Sequence, residues 1–112
     1  MSCQNANNES EPEFYLYCGL NDADTSTQVL TVEQAQAEAR KVITDLGYGY
    51  TEYVTYGGYI DGSDVKENDT IVYMLIFMER ADAENIAKKL KQELNLASVM
   101  IKETTANFGF VE

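Results

Sequence analysis

With 112 residues, 45% of them hydrophobic, the chain is long enough to bury one core without metal or disulfide staples and too short for a second domain. Nineteen acidic against eight basic side chains give a formal charge of −11, which repels nucleic-acid phosphate and argues against direct nucleic-acid binding. Histidine is absent, so ordinary triad chemistry is excluded along with the commonest metal ligand, and no motif calls for a cofactor.

Residues 1–13 contain almost nothing apolar and read as a disordered polar leader ending near Pro12, and residues 14–112 form the single domain. Within the leader, Cys3 follows a small residue and precedes an Asn/Ser/Glu-rich spacer, the pattern of a mature bacterial lipoprotein start. On that reading Cys3 carries the lipid, membrane contact is confined to this anchor, and the domain is extracytoplasmic. On the other reading the chain is cytoplasmic and the cysteine incidental. Cys18 stands in an apolar run and reads as a small buried hydrophobe; the two cysteines make no C-x-x-C pair.

Phe14 to Leu20 is the first strand, apolar on both sides, with Tyr15, Tyr17 and Gly19 opposite Phe14, Leu16, Cys18 and Leu20. A polar loop leads to Thr31, which with Gln34 has capping-box spacing. Val32, Ala35, Ala39, Val42, Ile43 and Leu46 then recur at helical intervals until Gly47 supplies a left-handed stop. Tyr48 to Ile60, rich in Tyr, Thr and Val, reads as an edge strand with a bulge or bend at Gly57-Gly58. The acidic stretch Asp61 to Asp69 reads as a hairpin loop.

Thr70 to Met78 has no polar residue after its first position, which fits a central strand covered on both faces. Asp82 is placed to cap a second helix with the apolar stripe Ala83, Ile86, Ala87, Leu90 and Leu94. Lys88, Lys89 and Lys91 form a basic patch on it. Ser98 to Val111 is the last strand, with a polar middle at Lys102 to Thr105 that is either bulged or exposed.

The order β-α-β-β-α-β with right-handed crossovers predicts an α+β, ferredoxin-like fold: a four-stranded antiparallel sheet in the order 4-1-3-2 with two helices on one face. That order sets the two fully apolar strands side by side and leaves one apolar, tyrosine-rich face open. The residues assigned to it as a ligand or dimer face are Tyr15, Tyr17, Tyr56 and Tyr73. A homodimer pairing face to face is the leading use. A small-molecule pocket in that dimer, another protein partner, or cover by the N-terminal segment are the others.

Leu16-Tyr17-Cys18-Gly19-Leu20 is similar to a Leu-Tyr-Phe-Gly-Leu motif. Gly49-Tyr50-Thr51 and Gly57-Gly58-Tyr59 are similar to Gly-Leu-Thr and Gly-x-Trp motifs, and Ser98-Val99-Met100 precedes the last strand. On these residues, from roughly Glu13 to Val111, the chain resembles the family of bacterial domains of unknown function 3574. The resemblance implies a ferredoxin-like fold and a place behind a secretion or lipoprotein leader. It implies no reaction.

The carboxylates Asp61, Asp64, Glu67 and Asp69 lack EF-hand spacing and read as a solvated turn, so no metal site is assigned. Tyr50, Tyr53, Tyr56 and Tyr59 recur every three residues, so on a strand they divide between two faces. Tyr17 and Glu52 are candidates for an acid–base pair, but no nucleophile–base pair or phosphate loop accompanies them. The reading is therefore a non-catalytic binding or interaction module of the cell envelope, not an enzyme, with no catalytic residue assigned. An acidic inhibitor that mimics nucleic acid against a nuclease and a small dimeric enzyme are the alternatives.

Overall fold

Strands that are apolar on both sides belong at the centre of a sheet, and the topology places them there. A computed structural model describes residues 9–112 as β1 (Glu9–Gly19), α1 (Val32–Asp45), β2 (Thr51–Asp61), β3 (Asp64–Ile76), α2 (Arg80–Glu93) and β4 (Met100–Phe108). The strands form one antiparallel sheet in the order β2-β3-β1-β4, which is the expected 4-1-3-2 order read from the other edge.

The register decides which residues face the helices. Phe14 pairs with Leu75, Leu16 with Tyr73 and Cys18 with Ile71, and all six are fully buried. Ala35, Ala39 and Ile43 of α1 and Ala83, Ile86 and Leu90 of α2 close over them, so both helices lie on this one side. Burial of each large side chain here contributes about 1.5–3 kcal/mol. Burial also pushes the Cys18 thiol up to about 12, so it stays protonated and packs as a hydrophobe.

Local signals place the helix ends. Thr31 Oγ1 accepts from the Gln34 N–H at 3.1 Å, Gln34 Oε1 accepts from the Thr31 N–H at 3.0 Å, and Gly47 follows the helix with φ +91°. In α2 the cap differs from the expected one. Glu79 is the N-cap residue, and Asp82 stands inside the first turn, where its Oδ2 accepts from the Glu79 N–H at 3.0 Å. Its carboxylate serves the helix N-terminus from within.

Three stretches fold differently from their sequence reading. Glu9–Glu13, assigned to the disordered leader, are strand, because they pair with Thr104–Phe108 and a ladder of backbone hydrogen bonds needs no apolar side chains. Pro12 sits where β1 has β4 as its one neighbour, a position that spares the missing N–H. Cys3 and the rest of that leader lie outside the described residues.

The acidic loop Asp61–Asp69 is mostly strand as well. Asp61 pairs with Asp64, the turn is Gly62-Ser63, and Gly62 with φ +66° supplies the positive φ that a two-residue hairpin requires at its first position. Pairing also runs one to one through Gly57-Gly58, so the expected bulge there is absent. The polar middle of β4 takes the second of its two expected forms, regular and exposed, with Lys102 opposite Tyr15 and Glu103 opposite Phe14.

These long strands give the sheet two diagonal extensions. β1 ends at Gly19 opposite Thr70, and β2 and β3 continue alone beyond it; at the other end β1 and β4 continue past Ile76. The described residues accordingly span 58 × 31 × 24 Å.

Candidate functional site

The side of the sheet away from the helices carries Glu13, Tyr15, Tyr17 and Gly19 from β1 and Thr70, Val72, Met74 and Ile76 from β3. Tyr53 and Tyr59 from β2 and Met100, Lys102 and Thr104 from β4 complete it. Across its middle, Met100, Tyr17, Val72 and Tyr53 stand in one row, and the two tyrosines leave Val72 only 3% exposed although no helix covers it.

The register divides the four tyrosines assigned to this face. Tyr15 and Tyr17 lie on it. Tyr73 and Tyr56 do not, because Tyr73 pairs with Leu16 and Tyr56 with Asp69, which places both on the helix side. Tyr73 is fully buried there, its ring edge-on to Tyr50 at 5.7 Å. Its hydroxyl donates to Glu52 Oε1 at 2.8 Å, and Glu52 also accepts from Arg40 Nε at 3.0 Å and Gln36 Nε2 at 3.0 Å, with a 2.6 Å ion pair to Arg40 Nη2. Arg40 first, and the Tyr73 and Gln36 donors after it, hold the Glu52 carboxyl below its ordinary range against the opposing effect of burial. Glu52 is thus a satisfied anchor between α1 and the sheet. The sheet itself separates it from Tyr17, so that candidate acid–base pair does not form.

The open face holds a different set. Tyr15 Oη donates to Glu13 Oε1 at 2.8 Å, and Thr104 Oγ1 donates to the same oxygen at 3.3 Å. The Glu13 bond, with partial burial, pushes the Tyr15 hydroxyl up to about 12, so it remains a donor throughout the neutral range. Lys102 Nζ stands 4.7 Å from the Tyr15 ring centroid and 5.6 Å from that of Tyr17.

Beside this group, where β1 ends and the β2–β3 ribbon begins, lies a cavity of about 290 Å³. Tyr17 and Met100 form one wall, and Gly57, Gly58 and Tyr59 form the facing one. Asn21, Asn68, Thr70 and Ser98 supply polar groups, and Gly19 and Ala97 complete the lining. Asn21 and Asn68 are the two buried polar residues of the described structure, at 6% and 9% exposure. The Asn21 amide is 3.5 Å from Tyr59 Oη, a long hydrogen bond. Asn68 Oδ1 accepts from Thr70 Oγ1 at 3.4 Å, and among the described residues its amide nitrogen has no acceptor. Gly19 makes this possible, since a Cβ there would come within 2.8 Å of Asn68 Nδ2.

Composition did not mark Asn21, Asn68 or Ser98, since polar residues in loops and at strand ends are common. The legible signals were the three glycines, of which Gly57-Gly58 suggested a bulge instead of a bare wall. The acidic stretch offers no such gathering. Asp61 and Asp64 lie on the open side of the ribbon, Glu67 and Asp69 on the other, and Asp69 Oδ2 accepts from Gln28 Nε2 at 3.0 Å. Among the described residues no three acidic or cysteine side chains are grouped to hold a metal ion.

No protein-family model matches the chain, and no curated protein matches it. Among solved structures it is similar to a phage SAM lyase in complex with S-methyl-5'-thioadenosine, with a TM-score of 0.65 at 13% identity, over 89% of this chain and 90% of that one. It is also similar to a phage SAM lyase in the apo state, with a TM-score of 0.58 at 14% identity over 90% of each chain. At these identities the likeness is one of fold. It nonetheless corrects two expectations: that the chain is a non-catalytic binding module, and that it is not an enzyme. Both rested on missing catalytic motifs, and the fold that this chain shares over about nine-tenths of its length is one that carries an enzyme in those solved structures.

Proposed function

We propose that the chain is a lyase acting on a sulfonium nucleoside of the S-adenosylmethionine class, held in the cavity on the open face of the sheet. The observation that carries this reading is Asn68, a residue only 9% exposed that lines the cavity, whose amide nitrogen has no acceptor among the described residues and is not sealed from solvent, and which is set against the bare backbone of Gly19 in a fold shared with a SAM lyase. Amides and hydroxyls beside aromatic and thioether side chains suit a nucleoside. They pair with the polar edge of a base and pack on its faces.

The chemistry also suits the composition. A sulfonium carries its own leaving group. When one carbon–sulfur bond breaks, its electron pair stays on sulfur and the product is a neutral thioether, so no general acid is needed there. The pair that satisfies the departing carbon comes from within the substrate, since a lyase breaks the bond without water. A chain without histidine therefore lacks nothing that the step at sulfur requires. Its charge of −11 raises the local concentration of a cationic substrate.

The test is to incubate the purified protein with S-adenosylmethionine and follow S-methyl-5'-thioadenosine by chromatography. The expected result is release proportional to protein concentration, reduced at least about tenfold by Asn68→Ala, the loss of one buried hydrogen bond to ligand. Decay at the uncatalysed rate at every protein concentration would sink the proposal.

We further propose that a second copy covers this face, as the row Met100, Tyr17, Val72 and Tyr53 favours. Light scattering should then report a dimer that Tyr53→Glu, outside the cavity lining, converts to monomer. A wild-type monomer at all concentrations removes this part and leaves the lyase reading intact.

A further inference from the structure

A chain of formal charge −11 repels anions over most of its surface, so an unpaired cation at the edge of its cavity marks the place where an anion would be accepted. Lys102 is such a cation. The four ion pairs among the described residues engage Arg40, Lys41 and Arg80, and Lys102 takes part in none. The carboxylates nearest to it along the strands are otherwise occupied. Glu13 accepts from Tyr15 and Thr104, and Glu103, on the helix side, accepts from Arg80 Nη1 at 2.8 Å.

What holds Lys102 in place is the pair of tyrosine rings. Its ammonium lies over Tyr15 and within 5.6 Å of the centroid of Tyr17, whose ring lines the cavity, and Met100, two positions earlier on the same face of β4, lines it too. A cation resting on aromatic faces keeps its hydrogen-bond donors available, because a ring face accepts charge without taking up an N–H in a directed bond. Lys66, the other lysine on this side of the sheet, stands opposite Tyr59 on the ribbon beyond the end of β1, and among the described residues its ammonium lies over no aromatic ring.

We propose that Lys102 is a specificity-determining residue that binds the carboxylate of the substrate's amino-acid arm. This rests on the sulfonium-nucleoside reading above. In a substrate of that class the adenosine and the amino-acid arm diverge from sulfur, and the carboxylate is the one negative group on either. With the nucleoside in the cavity against Tyr17 and Met100, the arm leaves over Tyr17 toward Lys102. The lysine then discriminates substrates that carry the carboxylate from thioether nucleosides that lack it.

Two thioethers test this without turnover, because neither carries a sulfonium leaving group. S-adenosylhomocysteine retains the amino-acid arm, and S-methyl-5'-thioadenosine replaces it with a methyl group. Titration calorimetry of the wild type, Lys102→Met, Lys102→Arg and, as a charge control on α2, Lys88→Met is the measurement. Lys102→Met is expected to weaken S-adenosylhomocysteine by about tenfold or more while leaving S-methyl-5'-thioadenosine within about twofold. Lys102→Arg restores most of the lost affinity, and Lys88→Met changes neither ligand. Equal weakening of both thioethers, the mark of a lysine that only props the tyrosine rings, overturns the proposal, as does no change in either. A wild type that binds neither compound overturns the sulfonium-nucleoside reading and this inference with it. Binding of both without discrimination by Lys102 overturns the inference alone.

Discussion

The two sides of the sheet are built from alternate residues of the same strands, yet they obey different rules. On the helix side, Phe14, Leu16, Cys18, Ile71, Tyr73 and Leu75 are fully buried, and the polar groups among them are saturated; the Tyr73 hydroxyl reaches a carboxylate that already holds Arg40 and Gln36. On the open side, Tyr15 and Tyr17 are partly exposed, and among the described residues Lys102 has no carboxylate partner and the Asn68 amide nitrogen no acceptor. A saturated face contributes stability and has nothing left to offer a ligand. An unsaturated face forgoes some stability and keeps its donors available, which is the usual compromise where a fold carries a binding site.

Neighbouring residues should therefore respond to substitution in opposite ways. The largest effect belongs to Leu16→Ala, which opens a cavity under both helices and should cost about 2–5 kcal/mol in urea unfolding. Tyr17→Ala, one residue on, should cost far less stability and most of the ligand affinity. If the two variants lose stability equally, the distinction between the faces fails.

Next is Glu52→Ala, which strands the Tyr73 hydroxyl and the Gln36 and Arg40 donors at a part-buried site and should cost about 1–3 kcal/mol. The pH dependence has a definite sign. Because the folded carboxyl titrates below its ordinary value of about 4.3, its contribution is complete above that pH and is lost as pH falls through the lower folded value. Urea midpoints of Glu52→Gln measured down the acid limb should fall less steeply than those of the wild type. Parallel curves would mean that Glu52 anchors nothing.

Gly19→Ala is smaller in stability and sharper in function. Its Cβ displaces the Asn68 amide and should lower affinity for S-methyl-5'-thioadenosine about tenfold with under ~1 kcal/mol lost in unfolding. Unchanged affinity in calorimetry would move the ligand out of this cavity. The smallest effect is expected for Asp45→Asn, which removes an exposed i,i+4 ion pair with Lys41 and should leave the urea midpoint almost unchanged. A larger shift would show that surface charge, not the two faces, governs this small acidic domain.

The fold was legible wherever a local rule was strong. Two runs apolar on both sides, one capping box at Thr31 and one glycine stop at Gly47 were enough to place the central strands, the first helix and the strand order. Where side chains were polar the reading failed, because backbone pairing does not depend on them. Glu9–Glu13 became strand through Thr104–Phe108, far away in sequence, and Asp64–Asp69 through Tyr56–Asp61 just across the Gly62-Ser63 turn. The site was less legible still. The expected strand order left one tyrosine-bearing face open, but register sent Tyr56 and Tyr73 to the other side.

By itself, then, the sequence determined the architecture and the existence of an uncovered tyrosine-bearing face, since both follow from hydrophobic periodicity, which is a property of neighbours along the chain. Only the tertiary structure decided which residues meet on that face. Asn21, Gly19, Gly57, Asn68 and Ser98 come from four separate stretches, and Lys102 reaches Tyr15 and Tyr17 from the opposite end of the chain. Such a gathering depends on strand register, where a shift of one residue turns every side chain to the opposite face, and register is settled by the packing of the whole sheet.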